Sequence, residues 1–292
     1  MKRIDMHTHT HASDGVLSAT ELIETAVKNG LGGIAITDHD TVESLAEGKE
    51  ASQKYKDFWF LPGIEFSTEI NSVEVHLLGY GIDETDSDLI ALLDQLKESR
   101  NTRANKMVNK LSDLGFDIDQ EQVEKMAGEG IVGRLHIARA MVDRGGVSSV
   151  QDAFQHYLKQ GQPAYVPRFK LEPIEVISLI HRLGGISVLA HPGLMKDDSL
   201  INGLIEAGLM GLEAYYPSHT DEETQRYLRL AFKHQLLATG GSDFHAPPSS
   251  GIRSSYIGQC SVPIDPIRRF FHKHCGTMNQ KGEYHDNTTP AL

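Results

Sequence analysis

Histidine and carboxylate side chains that can bind metal ions follow short apolar stretches at several points along the chain. The apolar stretches have the length and composition of β-strands and span residues 2–6, 33–37, 58–64, 73–75, 186–190 and 236–239. The side chains are six histidines and three carboxylates: His7, His9, Asp14, His39, Glu65, His76, His191, Asp243 and His245. Side chains at the carboxyl ends of parallel strands can converge although they are far apart in sequence. Because histidine nitrogens and carboxylate oxygens bind Zn, Mn and Fe, the pattern predicts a site for several metal ions.

Strand-like and helix-like segments alternate over most of the chain. Ser18 and Glu21 form a capping-box pattern that predicts a helix, and Gly30 ends it. A second helix is predicted over residues 42–55. From Pro173 onward helices and strands follow each other regularly up to residue 239. This alternation is typical of parallel βα units, so the sequence predicts an α/β fold in which seven or eight such units close into a barrel.

Between residues 80 and 165 the alternation stops, and apolar residues recur only at helical spacing. We therefore predict a barrel built from residues 1–80 and 166–275 that is interrupted by a helical insertion over 81–165. The insertion would lie on the same rim as the metal ligands, where it would act as a lid that selects the substrate. The polar residues 276–292 are predicted to form a flexible tail.

Composition restricts the classes of partner. The 292 residues carry a net charge of −12, which argues against binding long double-stranded nucleic acid through its phosphates but leaves nucleotides and short RNA open. No apolar run approaches the roughly 20 residues of a membrane-spanning helix. A strand is predicted immediately after Met1, so we expect no signal peptide. Only Cys260 and Cys275 are present, which together with these features predicts a cytoplasmic protein.

The ligand set itself indicates hydrolytic chemistry on phosphate esters. His7 and His9 lie on one face of a strand, because side chains alternate with period two, and can hold one ion together. Nine ligands exceed the needs of one ion, so two or three ions are expected. Ions about 3.5–4 Å apart supply a bridging hydroxide and clamp the oxygens of an in-line displacement. Mixed histidine and carboxylate ligation favours Mn, with Fe or Zn as alternatives.

Several of these motifs resemble those of the PHP (polymerase and histidinol phosphatase) family over about residues 1–250. The resembling motifs are His7-x-His9, Thr37-Asp38-His39-Asp40, Pro62-Gly63-Ile64-Glu65, His76, Ala190-His191-Pro192 and Gly241-Ser242-Asp243-Phe244-His245. A closer resemblance is to the bacterial nucleoside 3′,5′-bisphosphate phosphatases, also described as ribonuclease AM. It lies in His9-x-x-Ala12-Ser13-Asp14-Gly15, Gly63-Ile64-Glu65-Phe66-Ser67, Tyr165-Val166-Pro167 and the helix with Arg134, His136 and Ala138-Arg139.

The resemblance implies a distorted (β/α)7 TIM-like barrel that holds three divalent metal ions. It implies one ion bound by His7, His9, Glu65 and Asp243, a second by Glu65, His76 and His191, and a third by Asp14, His39 and His245. It also implies that Arg134 and His136 bind substrate phosphate, at a helix start that would favour anions. The implied activity is removal of the 3′-phosphate from nucleoside 3′,5′-bisphosphates such as pAp, and 5′-to-3′ trimming of short RNA with a 5′-monophosphate.

Three other functions remain as alternatives. An amidohydrolase barrel also begins with His-x-His, but it bridges its metals with a modified lysine, and the corresponding strands here offer Glu65 and His76. Histidinol-phosphatase activity, or that of another small phosphomonoesterase, would use the same metal site but does not explain the motifs in the insertion. A non-catalytic metal-binding domain would be expected to have lost ligands, and all nine are present.

A second set of polar residues has no assigned role. His11 and His219 lie near ligand-bearing strands, where each could contact a ligand or the substrate, or be an ordinary surface histidine. Arg103, Lys106 and Lys110 share one helical face, which could attract anions or simply be solvated.

Overall fold

The computed structural model describes residues 1–127, 132–167, 169, 171–247 and 255–275, and the backbone of 277–278 and 284–285. Its strands are β1 (Arg3–Asp5), β2 (Gly33–Ile36), β3 (Trp59–Ile70), β4 (Val73–Tyr80), β5 (Ile186–Leu189), β6 (Gly211–Tyr215), β7 (Leu237–Gly240), β8 (Val262–Pro263), β9 (Thr277–Met278) and β10 (Tyr284–His285). Its helices are α1 (Ala19–Lys28), α2 (Leu45–Ser52), α3 (Ser87–Asp113), α4 (Gln120–Ala127), α5 (Arg134–Asp143), α6 (Val150–Ala153), α7 (Pro173–Arg182), α8 (Ser199–Glu206), α9 (Asp221–Lys233) and α10 (Ile264–Cys275).

The first eight strands form one sheet in the order β7-β6-β5-β4-β3-β2-β1-β8. Strands β1, β2 and β3 are parallel to one another, and so are β5, β6 and β7. The sheet curls until the end of β7 meets the end of β1: the Met6 amide donates to the Gly240 carbonyl (3.1 Å) and the His9 amide to the Phe244 carbonyl (2.9 Å). The predicted α/β barrel is therefore confirmed.

Among the ligand-bearing strands, one runs against the expected direction. β4 is antiparallel to both of its neighbours, β3 and β5, so the expectation that every ligand-bearing strand is parallel was wrong. β3 and β4 form a long hairpin, and its two turn residues, Asn71 (φ 50°) and Ser72 (φ 66°), have the positive φ values that a tight two-residue turn requires. As a result Glu65 and His76 lie inside strands, whereas the sequence had placed them just after strand ends.

Helix boundaries follow local chemistry. The capping box at α1 is formed: the Glu21 amide donates to Ser18 Oγ (3.1 Å), and the Ser18 amide donates to Glu21 Oε2 (2.9 Å). Pro173 is the first residue of α7, where its missing amide hydrogen costs nothing. The second predicted helix is shorter than expected, because α2 covers only Leu45–Ser52 of the predicted 42–55.

The described residues between 81 and 165 form helices joined by loops, and they bury a hydrophobic cluster of their own. The long helix α3 links this cluster to the barrel. Near its start Leu89 and Leu93 pack in a cluster with barrel residues, whereas Met107 and Leu111 near its end pack against α4 and α5. The predicted tail falls mostly outside the described residues; its described backbone is the short antiparallel pair β9 and β10. In the described part of the chain, no helix is long and apolar enough to cross a membrane.

Candidate metal centre

The nine predicted ligand side chains lie at one mouth of the barrel, and all are buried or half-buried. Their ligand atoms form three groups, each with all atoms within 4.8 Å of one another. The groups are His7, His9, Glu65 and Asp243; His39, Glu65 and His76; and His9, Asp14, His39 and His245. His191 belongs to none of these three groups, but its Nε2 lies 3.1 Å from Glu65 Oε1. The structure thus brings all nine side chains together, and their role as ligands stays a prediction.

Four donor atoms in the first group are packed as closely as the ligands of a single ion. His7 Nε2 lies 3.1 Å from both His9 Nε2 and Glu65 Oε2. His9 Nε2 lies 3.2 Å from the same Glu65 oxygen and 3.1 Å from Asp243 Oδ1, which is 3.4 Å from His7 Nε2. Neighbouring ligands with metal bonds of about 2.0–2.2 Å are roughly 3–3.5 Å apart, so the four atoms fit one ion.

Glu65 lies between the groups, and its two oxygens contact different sets of histidine rings, with Oε2 at 3.1 Å from His39 Nδ1. Oε2 faces His7 and His9, and Oε1 is 2.8 Å from His76 Nδ1 and 3.1 Å from His191 Nε2. Burial opposes ionisation of Glu65, but the surrounding His39, His7 and His76 hold its pKa well below the ordinary value. The side chain is therefore a charged carboxylate that can bridge two ions.

The third group shares His9 with the first. His245 Nε2 is 3.1 Å from Asp14 Oδ1, and the rings of His245 and His9 stack with centroids 4.1 Å apart. His9 Nδ1 lies 3.9 Å from the same Asp14 oxygen, so its two nitrogens face different groups. The resemblance had placed only Asp14, His39 and His245 here, and in the structure His9 also lies within this group.

Hydrogen bonds among these side chains do not satisfy all of their buried nitrogen and oxygen atoms. Burial disfavours a charged ring, yet hydrogen bonds to Asp243 and Glu65 raise the pKa of His9 to about 10. Burial lowers the pKa of His39, a few ångströms away, to about 3. Among the described residues, His9 Nδ1 is a buried nitrogen without a hydrogen-bond partner, which is uncommon for buried polar atoms. Divalent ions bind the neutral form of every ring, so the residues fit a multinuclear metal site.

Buried carboxylates that the sequence pattern did not indicate as functional residues hold the ligand-bearing segments in place. Asp38 accepts bonds from the Thr10 amide and hydroxyl (both 2.7 Å) and from Ser13 Oγ (2.6 Å), and it also accepts one from Ser44 Oγ. These bonds fix the loop that carries Asp14 against the segment that carries His39. The sequence did contain a sign of this supporting role, because Asp38 directly precedes a predicted ligand and follows a buried strand.

Two more buried carboxylates lie one layer deeper in the barrel. Asp5 accepts from the amides of Ser242 (2.9 Å) and Gly258 (2.7 Å). Glu213 lies 3.0 Å from His7 Nδ1 and accepts from the His191 amide at 2.7 Å. Acidic residues inside apolar strands are rarely buried without a role, and this was the signal available in the sequence.

The helical insertion brings Arg134 to the rim of this site. Its guanidinium lies 3.3 Å from Glu74 Oε1, which is itself 3.4 Å from His76 Nε2. His136 is buried beneath the start of α5, where its Nδ1 accepts from the Gly133 amide at 3.1 Å, and burial lowers its pKa to about 4. Arg134 is thus at the mouth, whereas His136 supports the helix start that carries it.

The residues without an assigned role have mainly structural contacts. Both ring nitrogens of His219 are engaged, one by the Gly193 amide (3.1 Å) and one near the Ala214 carbonyl (3.0 Å). His11 is exposed. Arg103 donates to the carbonyl of residue 166 (2.7 Å) and Lys110 to that of residue 165 (2.8 Å), so these two side chains fasten the end of the insertion.

A barrel whose mouth gathers six histidines and two aspartates around a central glutamate has the site of a metal-dependent hydrolase. The PHP domain family matches residues 5–160, and the chain belongs to this family. It is 35% identical over 260 residues to a 3′,5′-nucleoside bisphosphate phosphatase of Chromobacterium violaceum, covering 86% of this chain and 90% of the relative. It is also 35% identical over 249 residues to the 5′-3′ exoribonuclease Rnm of Escherichia coli, covering 83% and 85%.

A solved structure from Bifidobacterium adolescentis, for which metal-dependent phosphoesterase activity has been inferred, superposes with a TM-score of 0.84. The two chains are 31% identical, and the match covers 92% of this chain and 95% of the other. The protein is therefore a hydrolase of the PHP family with the corresponding barrel.

Proposed function

We propose that the protein removes the 3′-phosphate from nucleoside 3′,5′-bisphosphates and trims short 5′-monophosphorylated RNA from its 5′ end. The observation that carries this proposal is the convergence of nine metal-binding side chains beneath a lid that brings an arginine to the rim. The two relatives at 35% identity, named as a nucleoside bisphosphate phosphatase and an exoribonuclease, support the choice of substrate. The cytoplasmic location stays a prediction from sequence.

We propose three divalent ions, with Mn first and Fe or Zn as alternatives. The sets that would hold them are His7, His9, Glu65 and Asp243; Glu65, His76 and His191; and Asp14, His39 and His245. Bound there, such ions lower the pKa of water and offset the negative charge that builds on a phosphoryl group. The buried carboxylates and backbone bonds around the ligands keep these donors in place before substrate arrives.

Arg134 would hold the phosphate that is not being cleaved. In the structure its partner is Glu74, whose side chain is about half exposed. An exposed ion pair of this kind contributes about 0.2–1 kcal/mol. A charge-assisted bond to phosphate contributes about 1.5–3 kcal/mol, so the arginine gains by exchanging Glu74 for a substrate phosphate. We also propose that the Nε2 atom of His136 contacts the substrate.

A product-release assay with Mn tests the proposal by offering pAp, 5′-phosphorylated RNA and histidinol phosphate in parallel. It measures inorganic phosphate from the two small esters and 5′-mononucleotides from the RNA. We expect turnover of the first two and little of the third, because histidinol phosphate has no second phosphate for Arg134. The control is the His191→Ala variant at the same metal concentration. A preference for histidinol phosphate would overturn the assignment of substrate while leaving the phosphoesterase class intact.

A further inference from the structure

One barrel strand carries no proposed metal ligand. Of the strands β1 to β7, all fully described, only β6 has no proposed ligand either within it or in the segment directly after it. Its central residue is Glu213, which is completely buried and lies one layer below the ligands. Burying a carboxylate this deeply costs free energy unless both of its oxygens accept hydrogen bonds.

Glu213 contacts two ligand-bearing segments at once. Oε1 is 3.0 Å from His7 Nδ1, and Oε2 accepts the backbone amide of His191 at 2.7 Å. The first contact fixes a ring, and the second fixes a turn of the main chain. His191 has a φ of 29°, a left-handed conformation that a non-glycine residue adopts only when its surroundings hold it there.

Both partners of Glu213 must be hydrogen-bond donors. His7 turns its Nε2 toward His9 and Glu65, and this nitrogen must be free of hydrogen to bind an ion. The neutral ring then carries its hydrogen on Nδ1, which points at Glu213. The His191 amide is always a donor. Only a carboxylate accepts from both, because an amide of the same size has one acceptor and one donor.

We propose that Glu213 is a positioning residue that fixes the Nδ1–H tautomer of His7 and the main-chain turn at His191. Through these two contacts it orients ligands on two different strands without touching substrate. The inference rests on the proposed metal site. A glutamine at this position would place its NH2 group against a donor in either orientation, so one of the two segments must shift.

The test compares Glu213→Gln with Glu213→Asp, which keeps two acceptor oxygens, and with Glu206→Gln, an exposed change on α8. For each full-length protein, Zn affinity is measured by chelator competition with Zn alone. We expect a loss of about 10- to 100-fold in Glu213→Gln, the range found when outer partners of metal ligands are removed. Glu206→Gln should bind Zn like wild type, and Glu213→Asp should lie between the two.

A second readout follows the tautomer in the wild-type protein. Imidazole 15N spectra of the Zn-loaded protein should show His7 protonated at Nδ1 and coordinated through Nε2. Coordination through Nδ1, or wild-type affinity in a folded Glu213→Gln variant, would overturn the inference. If Glu213→Gln does not fold, the 15N spectrum of the wild-type protein tests the inference without the variant. Failure of the wild type to bind Zn would instead count against the proposed metal site.

Discussion

Replacing Arg134 with alanine should separate substrate selection from the chemistry at the metal site. The structure places this guanidinium at the rim, 3.3 Å from Glu74, and not among the nine ligand side chains. A phosphate bond of about 1.5–3 kcal/mol replaces an exposed ion pair of about 0.2–1 kcal/mol, so the net loss on truncation is about 0.5–2.8 kcal/mol. That corresponds to a fall of roughly 2- to 100-fold in kcat/KM for pAp.

The assay measures pAp and p-nitrophenyl phosphate with wild type and variant at saturating Mn. The small ester has no second phosphate, so its turnover should hardly change in Arg134→Ala. Arg144→Ala is a matched control, because Arg144 lies on the same insertion but pairs with the exposed Asp117 at 3.4 Å. Equal losses on both substrates would place Arg134 at the reacting phosphate and refute the reasoning. No loss on either substrate would mean that Arg134 forms only a surface ion pair with Glu74.

Three further predictions concern the ligands and their support. His191→Ala or Asp243→Ala should abolish turnover with circular dichroism unchanged; near-wild-type activity in excess metal would mean that neither is a ligand. Metal loading at pH 7 should release at least two protons, because the pKa of His7 is raised well above its ordinary value and that of His9 to about 10, so both rings are protonated until metal displaces the protons. Calorimetry in buffers of different ionisation enthalpy counts these protons, and a value near zero would contradict the ligand set. Asp38→Asn should lower the free energy of unfolding of metal-free protein by about 1–3 kcal/mol in urea titrations, because an amide cannot accept from all four donors; an unchanged midpoint would remove Asp38 as a support.

Much of the site was predictable because strand ends and ligand residues coincide in the sequence. Parallel strands bring their carboxyl ends to one rim, so His39, His191 and Asp243 could be placed together from spacing alone. The direction of β4 could not be inferred in this way, because strand pairing is a tertiary property. The turn residues Asn71 and Ser72 were the available sign of a hairpin, since asparagine tolerates positive φ in a tight turn.

The supporting residues were harder to predict than the ligands. Glu213 looks like an isolated polar residue in an apolar strand until the fold shows which donors it meets. His136 was associated with substrate through its neighbour Arg134, and only the structure shows its Nδ1 accepting a backbone amide at the start of α5. In both cases the contact depends on side-chain direction and depth in the fold, which spacing along the chain does not encode.

The metal content of an active preparation tests the central claim most directly. Elemental analysis of the purified wild-type protein, combined with its turnover of pAp, should find two to three equivalents of transition metal per chain, since nine convergent ligands exceed the needs of one ion. Removing the metal with a chelator should abolish turnover, and adding Mn should restore it. One equivalent or none in a fully active preparation would contradict the multinuclear site.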